Sequence, residues 1–289
     1  MAIKDSELII NPDGSVFHLH LHPQQLSDKI ILVGDPARVD TVASNFDYIE
    51  CDISNREFHT ITGSFNGKRI TVTSTGIGCD NIDIVLNELD SLANIDFSSR
   101  TVKKELKQLQ ICRIGTCGGV QDFTPEGTFI ASVKSIGLDG LLNFYANRDL
   151  VCDQDVEHAF IKHMGWKNKQ CIPHPYVVSA SETLLNKIGF DMIHGITIAC
   201  GGFYGPQGRK LRLEIADPQM IEKIQDFNYE DLKITNFEME SSALAGLAKL
   251  MGHQALTCCM VVANRVKGIA NTNYRNTIQT LIKTVLERI

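Results

Sequence analysis

The chain has 289 residues, and its 28 basic and 34 acidic side chains give a formal net charge of −6 at pH 7. This balance argues against a dedicated nucleic-acid-binding protein, which would normally be strongly basic. The length is sufficient to bury a hydrophobic core without disulfides or a structural metal. No run approaches the ~18 apolar residues of a membrane span, and we interpret the nine cysteines as reduced thiols of a cytoplasmic protein.

Two turn signals organise the first third of the chain. The first apolar strand ends at Gly34, and Asp35 and Pro36 then suit the N-cap and the first position of a helix. Further on, Asn66 and Gly67 form the strongest short signal for a tight hairpin between two strands.

Strand and helix patterns alternate along the chain. The predicted strands cover residues 30–33, 58–65, 69–74, 109–114, 127–133, 176–180, 196–199, 234–238 and 255–263. The predicted helices begin at residue 35 and then cover residues 80–93, 155–164, 218–227, 241–251 and 272–288. The polar segment 97–108 is interpreted as a surface insertion. The pattern predicts one α/β domain over residues 1–289, with a central mixed β-sheet flanked by helices and a ligand site at the carboxyl ends of strands.

Several common functional motifs are incomplete or missing. The sequence contains neither a P-loop nor the nucleophile motif of α/β hydrolases. The TGIG segment at 75–78 begins like a dinucleotide loop, but Asn81 stands where its third glycine would be. His18, His20 and His22 alternate, yet no nearby carboxylate or thiol completes a zinc site, so we interpret them as a polar face.

Two segments that follow predicted strands suggest a site for a small anion. One contains Gly34 and Arg38, and the other is the RIGTCGG run that contains Arg113 and Thr116. Glycine lets backbone N–H groups approach a ligand closely, and arginine offers a planar fork of donors that matches phosphate. A single arginine at a strand end is more often part of a surface ion pair. Two such segments in an acidic chain favour an anion site.

The FEMES segment at 237–241 places two carboxylates directly before a helix. One of Glu238 and Glu240 is predicted to face a pocket and the other to be structural. Either carboxylate can satisfy backbone donors at the helix start. A carboxylate that faces the pocket can hold two vicinal sugar hydroxyls, because it has two acceptor oxygens.

The FYGPQGR segment at 203–209 combines adjacent aromatic rings with an amide and a guanidinium. One interpretation is a plain turn built around Gly205 and Pro206. The other is a planar polar ligand stacked on Phe203 and read by Gln207 and Arg209.

Taken together, these segments resemble the pyrimidine branch of the nucleoside phosphorylase family. The resemblance follows the chain in order and covers nearly all of it: VFHL at 16–19, GDPAR at 34–38, REF at 56–58, STGIG at 74–78, RIGTCGG at 113–119, FYGPQGR at 203–209, FEMES at 237–241 and NR at 264–265. The Gln207 and Arg209 pair is similar to the element that reads uracil. Arg265 stands where purine-acting relatives carry a catalytic aspartate.

The resemblance implies reversible phosphorolysis of uridine to uracil and ribose 1-phosphate, with inorganic phosphate as co-substrate and no organic cofactor. It implies catalytic roles for Arg113, Arg265, Gln207 and Arg209. It implies phosphate contacts from Gly34, Arg38, Arg113 and Thr116, with Arg56 supplied by a neighbouring subunit. It implies ribose contacts from Met239, Glu240 and the neighbouring subunit's His18, and uracil contacts from Phe203, Gln207 and Arg209.

The resemblance also implies a homo-oligomer, at least a dimer, because the active site would be shared between subunits. Some relatives hold a monovalent cation there, and Glu57 and Ile77 match two of its ligands. Asn81 stands at the position of the third ligand, a serine, so the set is incomplete and the binding of a monovalent cation stays open. No nucleic-acid or membrane partner is expected.

Three alternatives remain open at this point. A purine nucleoside phosphorylase of the same fold is disfavoured by Gln207, Arg209 and Arg265. A nucleosidase of the same fold would use water and would not need the set of arginines. A non-catalytic nucleoside-binding protein would bind uridine without releasing uracil.

Overall fold

The computed structural model describes residues 2–166 and 172–289, which form an α/β domain. The strands are β1 Lys29–Val33, β2 Tyr48–Asn55, β3 Phe58–Phe65, β4 Lys68–Ser74, β5 Ile95–Asp96, β6 Thr101–Val102, β7 Gln110–Gly119, β8 Phe129–Gly137, β9 Tyr176–Ser179, β10 Ile193–Ala199, β11 Asn228–Tyr229, β12 Leu232–Glu238, β13 Gln254–Asn264 and β14 Ile269–Ala270. The α-helices are α1 Pro36–Ala43, α2 Cys79–Asn94, α3 Gln154–Met164, α4 Glu182–Ile188, α5 Met220–Asp226, α6 Ser241–Leu250 and α7 Arg275–Arg288. Short 3-10 helices cover Pro23–Gln25, Leu141–Phe144, Arg148–Leu150 and Gly205–Gln207.

A mixed sheet of twelve strands forms the centre of the fold, in the order β11-β12-β10-β8-β13-β7-β1-β4-β3-β2, with β9 beside β8 and β14 beside β13. Strands β4, β1, β7 and β13 are parallel neighbours, so their carboxyl ends share one edge. Strand β12 also pairs with β7, through Asn236 opposite Gly119 and Phe237 opposite Gly118. This pairing closes β7, β13, β8, β10 and β12 into a ring and brings the end of β12 against the end of β7.

Helices cover the sheet on both faces, and the side chains of β1 show how. Ile30 and Leu32 pack into the core that contains α2 and α6. Their neighbours Ile31 and Val33 pack into the core that contains α1, α4 and α7. A continuous apolar run is what a parallel strand buried on both faces requires. The predicted central mixed sheet flanked by helices is therefore confirmed.

The local signals in the sequence formed as predicted. The side chain of Asp35 accepts a hydrogen bond from the N–H of Ala37 at 3.0 Å, so it caps α1. Asn66 and Gly67 both have positive φ, at 49° and 73°, and they join β3 to β4 in a two-residue turn. Positive φ at both central residues is the conformation that the Asn-Gly signal selects.

The RIGTCGG segment differs from its prediction as a loop, because β7 continues through it to Gly119. The glycines are compatible with a strand and make room within it. A Cβ atom on Gly115 would lie 2.2 Å from Nη1 of Arg113 and 3.0 Å from Sγ of Cys259. Gly115 therefore allows the guanidinium of Arg113 to fold back over its own strand.

Among the described strands and α-helices, β2 and α4 are the longest that the sequence did not predict, and the others are the two-residue strands β5, β6, β11 and β14. Strand β2 lies at the sheet edge, and most of its residues are exposed, so apolar alternation is weak. Helix α4 is only seven residues long. The polar insertion 97–108 contains β6, which pairs with β5, and its Arg100 donates to the backbone oxygens of Ile3, Lys4 and Leu8. The insertion thus holds the N-terminal arm on the domain.

The eight cysteines in the described residues are free thiols, and the ninth, Cys171, lies outside them. No helix in residues 2–166 or 172–289 is long and apolar enough to span a membrane.

Candidate active site

A cavity of about 550 Å³ opens at the strand ends where the ring is closed. Its lining includes the predicted site residues Gly34, Arg38, Arg113, Thr116, Phe203, Gln207, Arg209, Met239 and Glu240. Small-molecule sites in proteins have volumes of roughly 300–1,000 Å³. The fold therefore brings four separate sequence motifs into one space large enough for a small ligand.

Arg113 is the central cation of the cavity and is only 4% exposed. Its Nη2 group donates to Oε2 of Glu240, and its Nη1 group lies 3.6 Å from Oε2 of Glu238. Burial by itself lowers the pKa of Arg113, but the carboxylates of Glu240 and Glu238 outweigh burial and leave the pKa raised. Nε and Nη1 have no hydrogen-bond partner, which is unusual for buried donors. An anion bound beside Arg113 would satisfy them.

Glu238 and Glu240 both line the cavity, but they differ in their hydrogen bonds. Glu238 accepts from the N–H groups of Glu240 and Ser241 and from the Ser241 hydroxyl, so it satisfies donors at the start of α6. Glu240 accepts from Arg113 and, at 2.7 Å, from the N–H of Gly78. Burial, reinforced by the charge of Glu240, raises the pKa of Glu238 to about 7. Glu238 therefore satisfies backbone donors at the start of α6, whereas Glu240 joins Arg113 to the N–H of Gly78.

The cavity end beside β1 is suited to an anion. Gly34 follows β1, and a Cβ atom there would lie 3.4 Å from the oxygen of Gly76 and 3.8 Å from Nη2 of Arg113. Arg38, on α1, reaches the oxygen of Ile114 at 3.4 Å, and burial lowers its pKa. Thr116 adds a hydroxyl from β7. Guanidinium groups, a hydroxyl and a glycine N–H are the donor types that bind phosphate.

The opposite end is formed by the segment that follows β10. Gln207 is 2% exposed, and its Oε1 accepts a hydrogen bond from Nη1 of Arg209. The Arg209 guanidinium lies 3.7 Å above the centre of the Phe203 ring. Burial, together with the charge of Arg265, lowers the pKa of Arg209 to about 10, so Arg209 remains charged at neutral pH. This end presents an aromatic ring, an oriented amide and a cation.

Arg265 lies behind this segment and does not line the cavity. Its Nη1 donates to the backbone oxygen of Gln207 at 2.9 Å, and its Nη2 donates to that of Gly208 at 3.3 Å. The resemblance implied a catalytic role for Arg265. In the structure Arg265 instead holds the backbone that carries Gln207.

His18 and Arg56, which were predicted to serve a neighbouring subunit, are outside this cavity and close to each other. The Arg56 guanidinium lies 5.3 Å above the Phe17 ring, and the Phe17 and His18 rings are 4.8 Å apart. Asn55 donates to the backbone oxygen of His18 at 2.8 Å. We call Phe17, His18, Asn55 and Arg56 the ledge.

The three positions that the resemblance relates to a cation site, Glu57, Ile77 and Asn81, lie around Gly76. A Cβ atom on Gly76 would lie 2.5 Å from Nδ2 of Asn81 and 3.5 Å from Cγ of Glu57. Ile77 is 71% exposed at the cavity. The Asn81 carboxamide, which is bulkier than a serine hydroxyl, occupies the position where the resemblance implies a serine ligand. In the described ranges, no group of three or more His, Cys, Asp or Glu side chains is arranged to hold a metal.

Sequence reasoning missed several lining residues, among them Tyr274 and Cys117. Tyr274 lines the cavity just before α7, and it lies in a polar stretch without a recognisable motif. Cys117 lines it from β7, and burial raises its pKa well above the ordinary value, which keeps the thiol protonated and unreactive. Only the fold shows that these two side chains belong to the cavity.

The part of the chain that matches known proteins includes all the residues that line the cavity. A family model described as the phosphorylase superfamily matches residues 28–288. The uridine phosphorylase of Thermococcus kodakarensis is 28% identical over 254 residues, covering 88% of this chain and 79% of the relative. A DeoD-type purine nucleoside phosphorylase of Alkaliphilus metalliredigens is 26% identical over 273 residues, covering 93% and 97%. The crystal structure of a Trypanosoma brucei nucleoside phosphorylase, described as showing uridine phosphorylase activity, superposes with a TM-score of 0.88 at 28% identity, covering 97% and 98%.

Proposed function

Because the chain belongs to the phosphorylase superfamily, we propose that it is a uridine phosphorylase, which splits uridine with inorganic phosphate into uracil and ribose 1-phosphate. One observation carries the proposal. A single cavity joins an anion end, formed by Arg38 and Arg113, to an end that can read a planar base, formed by Gln207 and Arg209. Glu240 lines the same cavity, and we place the ribose beside it, between the phosphate and the base.

The anion end orients the nucleophile. Arg38, Arg113, Thr116 and the N–H of Gly34 hold phosphate so that one of its oxygens faces C1′ of the ribose. Holding two reactants in the correct geometry removes much of the entropic barrier to their reaction. The phosphate oxygen forms a bond to C1′ while the bond from C1′ to N1 of uracil breaks. The proton of hydrogen phosphate ends on the base. Because phosphate attacks C1′ directly, no covalent intermediate with the enzyme is needed.

Glu240 binds the sugar as positive charge develops on it. Its carboxylate accepts hydrogen bonds from the ribose hydroxyls while Arg113 holds it in place. Negative charge on Glu240 and on the phosphate stabilises the oxocarbenium-like transition state more than the neutral ground state. Only such differential interactions accelerate the chemical step.

The base end stabilises the leaving group. As the glycosidic bond breaks, negative charge spreads onto the uracil carbonyl oxygens, where Gln207 and Arg209 supply donors. In a site that excludes water, each donor aimed at developing charge contributes roughly 3 kcal/mol to transition-state stabilisation. Phe203 supplies an apolar face for the ring. Arg265 fixes the backbone oxygens of Gln207 and Gly208, which keeps these donors in position.

We propose that the ledge of one subunit completes the cavity of its neighbour, with Arg56 on phosphate and His18 on the 5′-hydroxyl of the nucleoside. Two features support this. Both side chains lie outside their own cavity, and Arg56 is exposed on a turn where its φ is 56°, a strained conformation for a non-glycine residue. The protein is then at least a dimer. Phosphate is its co-substrate, and no organic cofactor is required.

The proposal is tested by a panel of uridine, cytidine and inosine, each with and without phosphate. Release of uracil from uridine only when phosphate is present is the expected result. Faster cleavage of inosine would identify a purine nucleoside phosphorylase instead. Cleavage that does not depend on phosphate would identify a nucleosidase, and binding without cleavage would identify a nucleoside-binding protein.

A further inference from the structure

The His18 side chain of the ledge is held by one carboxylate, that of Glu88 on α2. Glu88 is 9% exposed. It accepts from the N–H of His18 at 2.9 Å and from the N–H of Leu19 at 2.8 Å, and its Oε1 lies 2.6 Å from Nδ1 of the His18 ring. Every one of these contacts goes to the arm that carries His18.

The contact with the ring selects one tautomer. An ionised carboxylate can only accept hydrogen bonds, so the nitrogen that faces Glu88 must carry a proton. In the neutral ring this places the proton on Nδ1 and leaves the lone pair on Nε2. Phe17 and Phe58 pack edge-on against the ring at 4.8 and 6.3 Å and restrict its rotation. The ring remains 27% exposed, which leaves it accessible to a partner.

We propose that Glu88 is a positioning residue of the nucleoside site: it holds His18 in the tautomer whose Nε2 accepts a hydrogen bond from the 5′-hydroxyl of uridine bound in the neighbouring subunit. This inference rests on the proposed function and adds a residue that never touches substrate. The same arrangement of carboxylate, imidazole and ligand fixes histidine tautomers in other proteins.

Glu88→Gln tests the proposal because it preserves size and reverses the choice of tautomer. The glutamine oxygen can still accept from the backbone N–H groups, but the amide N–H₂ group now favours the lone pair on Nδ1 and the proton on Nε2. For this variant kcat/KM on uridine should fall about tenfold. On 5′-deoxyuridine, which lacks the 5′-hydroxyl, it should change by no more than about twofold. The ratio of kcat/KM for uridine to kcat/KM for 5′-deoxyuridine, measured on one protein sample, does not depend on the fraction of protein that is folded.

Two comparisons make the test specific. In a His18→Ala background, Glu88→Gln should have no further effect on uridine, because the two residues act through the same contact. Asp90→Asn is the matched control: Asp90 also lies on α2 and pairs with a histidine, His253 at 3.1 Å, yet it is outside the ledge and the cavity. Asp90→Asn should leave kcat/KM unchanged for both uridine and 5′-deoxyuridine.

A ¹⁵N NMR measurement of the His18 ring reports the tautomer directly. The expected result is a proton on Nδ1 in the wild type and on Nε2 in Glu88→Gln. The proposal is overturned if Glu88→Gln lowers kcat/KM equally for uridine and 5′-deoxyuridine, or if it still lowers kcat/KM for uridine in the His18→Ala background. It is also overturned if the His18 ring of the wild type carries its proton on Nε2. A wild type that releases no uracil at all would reject the proposed function, and the tautomer would then still decide whether Glu88 orients His18.

Discussion

Arg113 and Glu240 are 127 positions apart in sequence, yet Nη2 of Arg113 donates directly to Oε2 of Glu240, and both side chains are almost completely buried. Because the pairing of β12 with β7 brings them together, the anion end and the sugar end of the cavity share one ion pair. Removing either partner leaves the other charge buried without compensation, which is costly. A substitution of Arg113 or Glu240 is therefore expected to change both ligand binding and the stability of the folded protein.

Arg113→Ala should abolish most use of phosphate. The variant loses a guanidinium beside the nucleophile and the partner of Glu240, so we expect kcat/KM for phosphate to fall by at least about a hundredfold. Steady-state kinetics with varied phosphate measures this. Arg288→Ala is the control, because Arg288 forms an ion pair with Asp191 outside the cavity. Near-normal kinetics for Arg113→Ala would remove Arg113 from the site.

Gln207→Ala should weaken the preference for uridine over cytidine. Uracil presents an N–H donor between two carbonyl acceptors, whereas cytosine carries an amino group and lacks that N–H. A buried amide that pairs with uracil therefore rejects cytosine. We expect uridine turnover to fall while cytidine turnover is unchanged. Gln24→Ala serves as control, because Gln24 is exposed and belongs neither to the cavity lining nor to the ledge. Unchanged selectivity would mean that the base is read elsewhere.

Glu238 should make stability depend on pH. Burial, then the charge of Glu240, raises its pKa to about 7 in the folded protein, well above the value of 4.5 expected for an exposed glutamate. Between these values the folded state binds more protons than the unfolded state, so stability is lost as pH rises toward 7. Glu238→Gln does not titrate. Its Tm relative to wild type should therefore be higher at pH 8 than at pH 5, by about 3 °C.

Thermal unfolding of both proteins at the two pH values measures this difference. Glu222→Gln, an exposed change on α5, controls for loss of a negative charge. An identical Tm difference at pH 5 and pH 8 would show that Glu238 has the same pKa in the folded and unfolded states.

Activity should not require a monovalent cation. The bulkier carboxamide of Asn81 lies beside Gly76, at the position where the resemblance implies a serine oxygen as the third ligand. Replacing K⁺ by tetramethylammonium at constant ionic strength should leave the rate unchanged. Asn81→Ser is the matched variant, because it restores the third ligand of the site that the resemblance implies. A saturable increase of wild-type activity with K⁺ would contradict this expectation.

The parts of the fold that the sequence predicted are those set by neighbouring residues. Asp35 caps α1 and the Asn66-Gly67 turn joins β3 to β4, since both signals act within a few positions. The continuation of β7 was missed because its glycines also suit a loop. Gly115 is needed for a different reason, the space taken by the guanidinium of Arg113, and that depends on a rotamer which sequence does not show.

The site could be predicted only as separate motifs. Nothing local indicates that β12 pairs with β7, so the contact between Arg113 and Glu240 could not be derived from spacing. Tyr274 joins the cavity only because α7 packs where it does. For Arg265, the resemblance implied a catalytic role, whereas its contacts to the backbone of Gln207 indicate positioning. Such roles depend on long-range packing rather than on residue type.

The sugar product of uridine cleavage tests the proposed activity most directly. With phosphate present, uracil and ribose 1-phosphate should form in equal amounts, and without phosphate no uracil should appear. Phosphorus NMR and chromatography of one reaction mixture measure both products. Free ribose, or uracil released at the same rate without phosphate, would contradict a phosphorylase and would show that water is the nucleophile.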